Sequence, residues 1–188
     1  MTEMPALTTE RLSVRPLTSE DFPAYRALEP DIPDDRQRAT LAWRVASYRE
    51  LGALLQPPYG ERAIALGAGG ALVGLCGLVP SFGPFGLLES WPRDHDEERA
   101  RRFLPAVGMY WMLDPAHRGN GYATEAAAAL IAYGFGEMRL QRIVATTEHA
   151  NTASQAVMRR LGMRLDRNPE PEPPWFQVVG ILDSSPRL

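Results

Sequence analysis

The sequence predicts an α+β (mixed α/β) domain built on a mixed sheet. Three observations predict it. Arg11–Leu17 sets Leu12, Val14 and Pro16 against Arg11, Ser13 and Arg15, the two-residue period of a half-buried strand. Arg62–Leu66 and Ala71–Val79 are apolar runs joined by Gly67-Ala68-Gly69-Gly70, which reads as a hairpin. Val107–Leu113 is a third strand-like run. It turns at Asp114-Pro115, passes through Arg118, Gly119, Asn120 and Gly121, and opens at once into an alanine-rich helix from Tyr122 to Gly136.

The other elements follow in chain order. Thr18-Ser19-Glu20-Asp21 is a helix start, with a hydroxyl to cap and acids in the first turn. The helix from about Asp21 to Leu28 is broken by Pro30 and Pro33. Asp34-Asp35 opens a longer helix with Leu41, Val45, Tyr48 and Leu51 on one side, closed by Pro57-Pro58. Ser81–Trp91 reads as a loop. Arg93–Arg102 is densely charged: a solvated helical turn, with a substrate-covering flap as the alternative. Strand Arg142–Thr147 leads to helix Asn151–Leu161. Two last strands, Arg164–Asp166 and Trp175–Leu182, flank the proline-rich loop Pro169–Pro174. No repeat or linker interrupts the 188 residues, so residues 1–188 are expected to form one domain.

Composition narrows the functions. Twenty basic residues against 23 acidic ones give a net charge of −3. That argues against a nucleic-acid binder, which needs a basic patch. All the basic residues are arginine, and without lysine there is no Schiff-base chemistry. Cys76 has no partner cysteine and lies in an apolar run, so a buried, inert thiol is expected. The three histidines stand at 95, 117 and 149 without ligand-like spacing, so no metal is expected. No apolar run is long enough to span a bilayer, and the N-terminus does not read as a signal peptide. The expectation is a cytoplasmic protein without membrane partners.

The loop before Tyr122 carries the chemistry. A glycine-containing loop feeding a helix start leaves backbone N–H groups without partners, at the positive end of the helix dipole. That suits a phosphate-bearing ligand. The P-loop pattern fails for want of lysine, and Gly119-Asn120-Gly121-Tyr122-Ala123-Thr124 does not meet the dinucleotide fingerprint. R-x-x-G-x-A does fit, at Arg118, Gly121 and Ala123.

This spacing resembles the acyl-CoA pyrophosphate loop of the GNAT-type N-acetyltransferases. The longer string D-P-x-x-R-G-x-G-Y-A-T-E-A resembles their RimJ/RimL-like branch. So do Thr9-Glu10-Arg11-Leu12-Ser13-Val14-Arg15-Pro16-Leu17, Asn151-Thr152-Ala153-Ser154 and Arg159-Arg160-Leu161-Gly162-Met163. The resemblance implies the GNAT fold, a twisted mixed sheet flanked by helices. It also implies acetyl-CoA as cosubstrate. The backbone of Arg118, Gly119, Asn120, Gly121, Tyr122, Ala123 and Thr124 would cradle the pyrophosphate. A strand N–H near Met112 or Leu113 would meet the thioester carbonyl. Asn151 would bond the pantetheine amide, a role it could share with capping its helix.

The catalytic groups depart from the commoner pattern. Many GNAT enzymes place a tyrosine seven residues after this asparagine, where this chain has Met158. Ser154 is the candidate to hydrogen-bond the departing thiolate, or else a second polar residue of the helix start. The acidic position of the splayed strand is taken by Gly108. Glu148 is then the candidate base, acting through water, with His149 its rival and a solvated charge pair the alternative for either. The implied activity moves an acetyl group to a primary amine, on a protein N-terminus or a small molecule, by direct attack in a ternary complex. Trp91, Tyr110, Trp111 and Trp175 could line an acceptor pocket or pack in the core. A non-catalytic acyl-CoA sensor is the alternative from another class, and an NTP-binding protein a remote third. Relatives often pair through the later strands, so a homodimer is a further possibility.

Overall fold

The computed structural model describes residues 4–67, 69–91 and 96–184. Among these are strands β1 (Leu7–Thr8), β2 (Leu12–Arg15), β3 (Gly60–Leu66), β4 (Leu72–Gly83), β5 (Leu104–Leu113), β6 (Arg142–Thr147), β7 (Arg164–Arg167) and β8 (Val178–Asp183). The helices are α1 (Phe22–Leu28), α2 (Asp34–Ala53), α3 (Glu97–Ala100), α4 (Tyr122–Gly136) and α5 (Thr152–Arg160). The hydrogen-bonded strand order is β1-β2-β3-β4-β5-β6-β8-β7, a mixed sheet. The chain divides into two compact units, Met1–Val79 with Tyr110–Met138, and Pro80–Met109 with Arg139–Leu188.

In the first unit β2 lies between β1 and β3, antiparallel to both, with Leu7↔Val14 and Val14↔Ile64 in register. β3 continues antiparallel into β4. Ile64 faces Gly74 but Ala65 faces Leu72, so Val73 is an extra residue, a β-bulge. The core of this unit gathers Leu17, Phe22, Tyr25, Leu28 and Leu41 against Ala63, Leu72 and Leu75. The predicted stripe of α2 holds at Leu41, Val45 and Tyr48, which pack on this core. Ahead of α1 the expected helix start forms as a 3₁₀ turn, Ser19–Asp21, closed by the Thr18 N–H donating to Asp21 Oδ2 (2.8 Å); Asp21 also receives Arg15 (2.6 Å). Burial pushes the Asp21 carboxyl up, but the bonds from Arg15 and Thr18 outweigh it and hold it below the usual carboxylate range. Cys76 is fully buried, and burial pushes its thiol up to about 12, which keeps it inert at neutral pH.

In the second unit β6 pairs in parallel with β5 at Gly108↔Val144 and antiparallel with β8 from Arg142↔Asp183 to Thr147↔Val178. β8 then pairs antiparallel with β7, so the last strand in sequence lies inside the sheet and β7 takes the edge. Phe85, Leu88, Val144, Phe176, Val179 and Ile181 form this unit's core.

The segment expected as a loop over Ser81–Trp91 is corrected here. Strand β4 runs on through Pro80 to Gly83, and a 3₁₀ turn covers Phe85–Leu87. Gly83 permits this because a Cβ there would stand 2.6 Å from the Phe176 ring. Phe85 stacks on Trp91 (centroids 4.6 Å apart) and meets Phe176 edge-on, so these aromatics are core. Of the charged run Arg93–Arg102, residues 93–95, His95 included, lie outside the described residues. The remainder forms the single turn α3, capped by Asp96, whose Oδ1 accepts the Glu98 N–H (3.0 Å). The final strand also starts later than expected, because Pro174–Phe176 forms a 3₁₀ turn.

Candidate functional site

The phosphate-loop candidate lies wholly in the first unit. Its start is fixed by β4: the Asp114 N–H donates to the carbonyl of the bulged Val73 (3.0 Å). Asp114 Oδ1 accepts the Ala116 N–H (2.8 Å), and Pro115 supplies a preset φ, so Pro115–His117 closes as one 3₁₀ turn. Gly119 and Gly121 follow, both at φ +81°, a left-handed conformation that a residue with a Cβ resists. Gly121 is the N-cap of α4, and the first helical bond is Glu125 N–H to Gly121 carbonyl (3.0 Å). The amides of Tyr122, Ala123 and Thr124 precede that bond. A glycine cap has no side chain to receive them. The contrast is α5, which has Asn151 as a capping side chain. The Thr124 hydroxyl at the same helix start is buried and has no partner among the described residues. An anion with several acceptor oxygens fits this donor set.

Side chains hold the loop in this shape. Arg118 Nε donates to the Leu113 carbonyl (3.2 Å), and Asn120 Nδ2 to the His117 and Arg118 carbonyls (3.1 and 3.3 Å). From the turn between β1 and β2, Arg11 Nη1 donates to the Asn120 carbonyl (3.0 Å). The same guanidinium pairs with Glu125 (2.6 Å) and lies 4.8 Å from the centre of the Tyr122 ring. Glu125 also accepts from the Thr9 hydroxyl (2.6 Å) and the Arg11 N–H (2.9 Å). Burial raises the Glu125 carboxyl, but these donors outweigh it and hold the group below the usual carboxylate range. Thr9, Arg11 and Glu125 were present in the sequence strings that carry the resemblance. Nothing in their spacing shows that they meet. Ala126 and Ala127 of α4 are fully buried, so their small size serves close packing as well as helix propensity.

The two candidate strand donors differ in direction. The Asp114 N–H points at β4, and a Cβ on Gly74 of β4 would stand 2.3 Å from the Met112 carbonyl. Backbone groups alternate sides along a strand. Met112 is therefore directed at β4, whereas Leu113 is directed away from it, as the Arg118 bond to its carbonyl also requires. Tyr110 packs on the first unit's core. Burial, reinforced by Glu61, pushes its phenol well up, so it stays protonated at neutral pH.

The remaining predicted residues lie in the second unit. Asn151 caps α5: its Oδ1 accepts the Ser154 N–H (3.0 Å), while its amide nitrogen takes no part in the cap. Ser154 is half-buried in the first turn of the helix. Glu148 and His149 are exposed and occupy the turn after β6. That turn is stitched by two residues the sequence did not single out. Gln155, itself buried, donates to the His149 carbonyl (2.9 Å), and Gln177 Oε1 accepts the His149 N–H (2.9 Å). Met158 is fully buried and packs at Gly180 of β8, where a Cβ would stand 3.1 Å from its sulfur. Gly108 is buried in register with Val144. Trp175 is 41% exposed, unlike Trp91 and Tyr110, which pack on the cores. Among the described residues no cluster of three or more His, Cys, Asp or Glu could hold a metal ion, and no helix is long and apolar enough to cross a membrane.

The model of the acetyltransferase (GNAT) domain matches residues 11–164. The chain is 48% identical over 54 residues to the uncharacterized N-acetyltransferase YnaD of Bacillus subtilis (strain 168), a match covering 29% of this chain and 32% of that protein. It superposes on the crystal structure of an acetyltransferase from Agrobacterium tumefaciens str. C58 with a TM-score of 0.69 and 26% identity, over 98% of this chain and 97% of the other. RimL, a ribosomal L7/L12 alpha-N-protein acetyltransferase solved in complex with coenzyme A, shares the fold at 14% identity and a TM-score of 0.60, over 92% and 93% of the two chains. With a mixed sheet of eight strands flanked by helices and a family match over most of its length, this chain belongs to the GNAT acetyltransferase family.

Proposed function

We propose that this protein, as one domain over residues 1–188, is an acetyl-CoA-dependent N-acetyltransferase of the RimJ/RimL-like branch. It transfers the acetyl group to a primary amine, on a small molecule or a protein N-terminus, by direct attack in a ternary complex. The observation that carries the reading is the glycine-capped start of α4, with two left-handed glycines, uncapped amides and the orphan Thr124 hydroxyl. These donors suit a pyrophosphate. Bound acetyl-CoA would supply the activated thioester.

The chain's own residues take the following roles in this reading. The loop from Arg118 to Thr124 binds phosphate oxygens through its backbone. The Leu113 N–H, directed away from β4, supports an oxyanion on the thioester carbonyl, and the direction of Met112 disfavours it for that role. Asn151 spends its Oδ1 on the cap, and its amide nitrogen remains to bond the pantetheine arm. Asn151→Asp separates the two roles, since a carboxylate still caps but cannot donate. The variant should melt like the wild type but bind acetyl-CoA about tenfold more weakly. Unchanged affinity would reduce Asn151 to a cap.

With Met158 buried, Ser154 is the candidate to steady the leaving thiolate. Ser154→Ala should lower kcat more than it raises the acetyl-CoA KM; equal kinetics would remove the role. Glu148 is the candidate base for a protonated amine. An α-amine, with a reference pKa of about 7.7–8.0, needs less help than a lysine-type amine at about 10.4. Glu148→Gln should therefore depress the rate most at low pH, and an unaltered pH–rate profile would exclude it. The reading as a whole is tested by a thiol-release assay across amino acids, polyamines, amine antibiotics and N-terminal peptides. Turnover of one class would identify the acceptor. Coenzyme A binding with no turnover on any of them would contradict the catalytic reading.

A further inference from the structure

We propose that the first unit carries a second ligand site, a cavity beside Arg62 that takes a small carboxylate with an apolar body. The cavity has a volume of about 180 Å³. Tyr48 and Leu51 of α2, Tyr59, Pro16 and Met4 form its apolar wall; Arg62 and Gln56 also line it, as does Arg49, which is exposed and paired with Glu50 (2.7 Å). None of the lining residues belongs to the loop or to the strand end that leads into it.

The charge on Arg62 needs explaining. The residue is only 3% exposed. Its Nη2 donates to the carbonyls of Pro5 (2.6 Å), Met4 (3.2 Å) and Val14 (3.5 Å), all neutral acceptors. Its Nε is buried and has no partner among the described residues. The adjacent carboxylate, Glu61, is engaged by Arg44 (Nη2 to Oε1, 2.6 Å). Among the described residues no Asp or Glu lines the cavity. A buried guanidinium without a counter-ion is costly, and so is a buried N–H without an acceptor. Burial lowers the Arg62 pKa, yet a guanidinium remains charged at neutral pH. One carboxylate at this wall would supply the missing counter-charge, the kind of partner a guanidinium favours.

Size and lining set the rest of the ligand. An apolar cavity of roughly 150 Å³ holds a benzene ring. This one therefore admits a body of about that size, with its carboxylate toward Arg62 and its apolar part between the tyrosines and Leu51. Benzoate is the simplest probe of that chemistry, and benzamide its neutral isostere.

The experiment uses the full-length protein, titrated calorimetrically with benzoate, benzamide and inorganic phosphate, with melting temperatures recorded alongside. Benzoate should bind saturably and raise the melting temperature, with benzamide at least about tenfold weaker, the worth of a hydrogen bond to a charged group. Phosphate, which has no apolar body, should not compete. Because Arg62→Met could unfold the protein by releasing Met4, Pro5 and Val14, the decisive variant is Leu51→Trp. It fills the cavity and leaves the guanidinium bonds in place. That variant should melt near the wild-type temperature and lose benzoate binding. No saturable benzoate binding, equal binding of benzamide, competition by phosphate, or normal binding by Leu51→Trp would each overturn the proposal.

Discussion

Gly121→Val should abolish coenzyme A binding while leaving most of the fold in place. Gly121 sits at φ +81° and ψ 2°, where a β-branched residue is strongly disfavoured. The protein would relieve that strain by rotating the loop. In doing so it would turn the amides of Tyr122, Ala123 and Thr124 away from the helix axis. Among the described residues, chain neighbours aside, the only atom within 4 Å of a Cβ at this position is the Arg11 Nη2, 3.5 Å away, so crowding within the protein is not the obstacle. The obstacles are the backbone conformation and the space that a bound phosphate would fill. Losing two hydrogen bonds to a charged phosphate, at about 1.5–3 kcal/mol each, corresponds to a hundredfold or greater loss of affinity. The strain itself costs about 1–3 kcal/mol, which the circular dichroism melt should register as a modest shift. Affinity within threefold of wild type, measured by calorimetry, would remove the phosphate-loop assignment.

Gly74→Val should be the most destabilising single substitution near the site. A Cβ at Gly74 would stand 2.3 Å from the Met112 carbonyl oxygen, 2.6 Å from Leu113 Cδ2 and 3.1 Å from Leu113 Cα. Two of those three atoms are backbone, which cannot swing aside. Gly74 lies beside the Val73 bulge whose carbonyl receives Asp114, so separating β4 from β5 here also frees the first residue of the loop. Overpacking a core typically costs about 1–3 kcal/mol, and a backbone clash belongs at or above the top of that range. For a chain of this size each kcal/mol lowers the melting temperature by roughly 2–4 °C, so a drop of about 10 °C is expected. Coenzyme A affinity should fall with it. A melting temperature within about 2 °C of wild type would mean that β4 and β5 are not held this closely.

What could be read from the sequence follows from how local each feature is. The loop's conformation was legible because a tight turn into a helix favours left-handed residues, and Gly119 and Gly121 supply them at φ +81°. The N-cap at Asn151 was legible because a short polar side chain stands just before the helix, and its Oδ1 does accept the Ser154 N–H. The bracing by Thr9, Arg11 and Glu125 joins residues more than a hundred positions apart, and no local pattern encodes such a contact. The inward place of β8 between β6 and β7 is likewise a matter of long-range pairing. The extension of β4 was hidden by Pro80 and Gly83, which read as breakers. There the proline is exposed and the glycine makes room for Phe176. Arg62 looked like an ordinary strand arginine, because burial without a counter-ion cannot be seen before the chain is folded.

The central claim is that the start of α4 binds the phosphates of an acyl-CoA. Calorimetric titration of the purified protein with acetyl-CoA, coenzyme A and ATP tests it most directly. The account predicts saturable one-to-one binding of both coenzyme A species and none of ATP, whose outer phosphates lack the lysine that a P-loop would offer. Absence of coenzyme A binding, or equal binding of ATP, would contradict it.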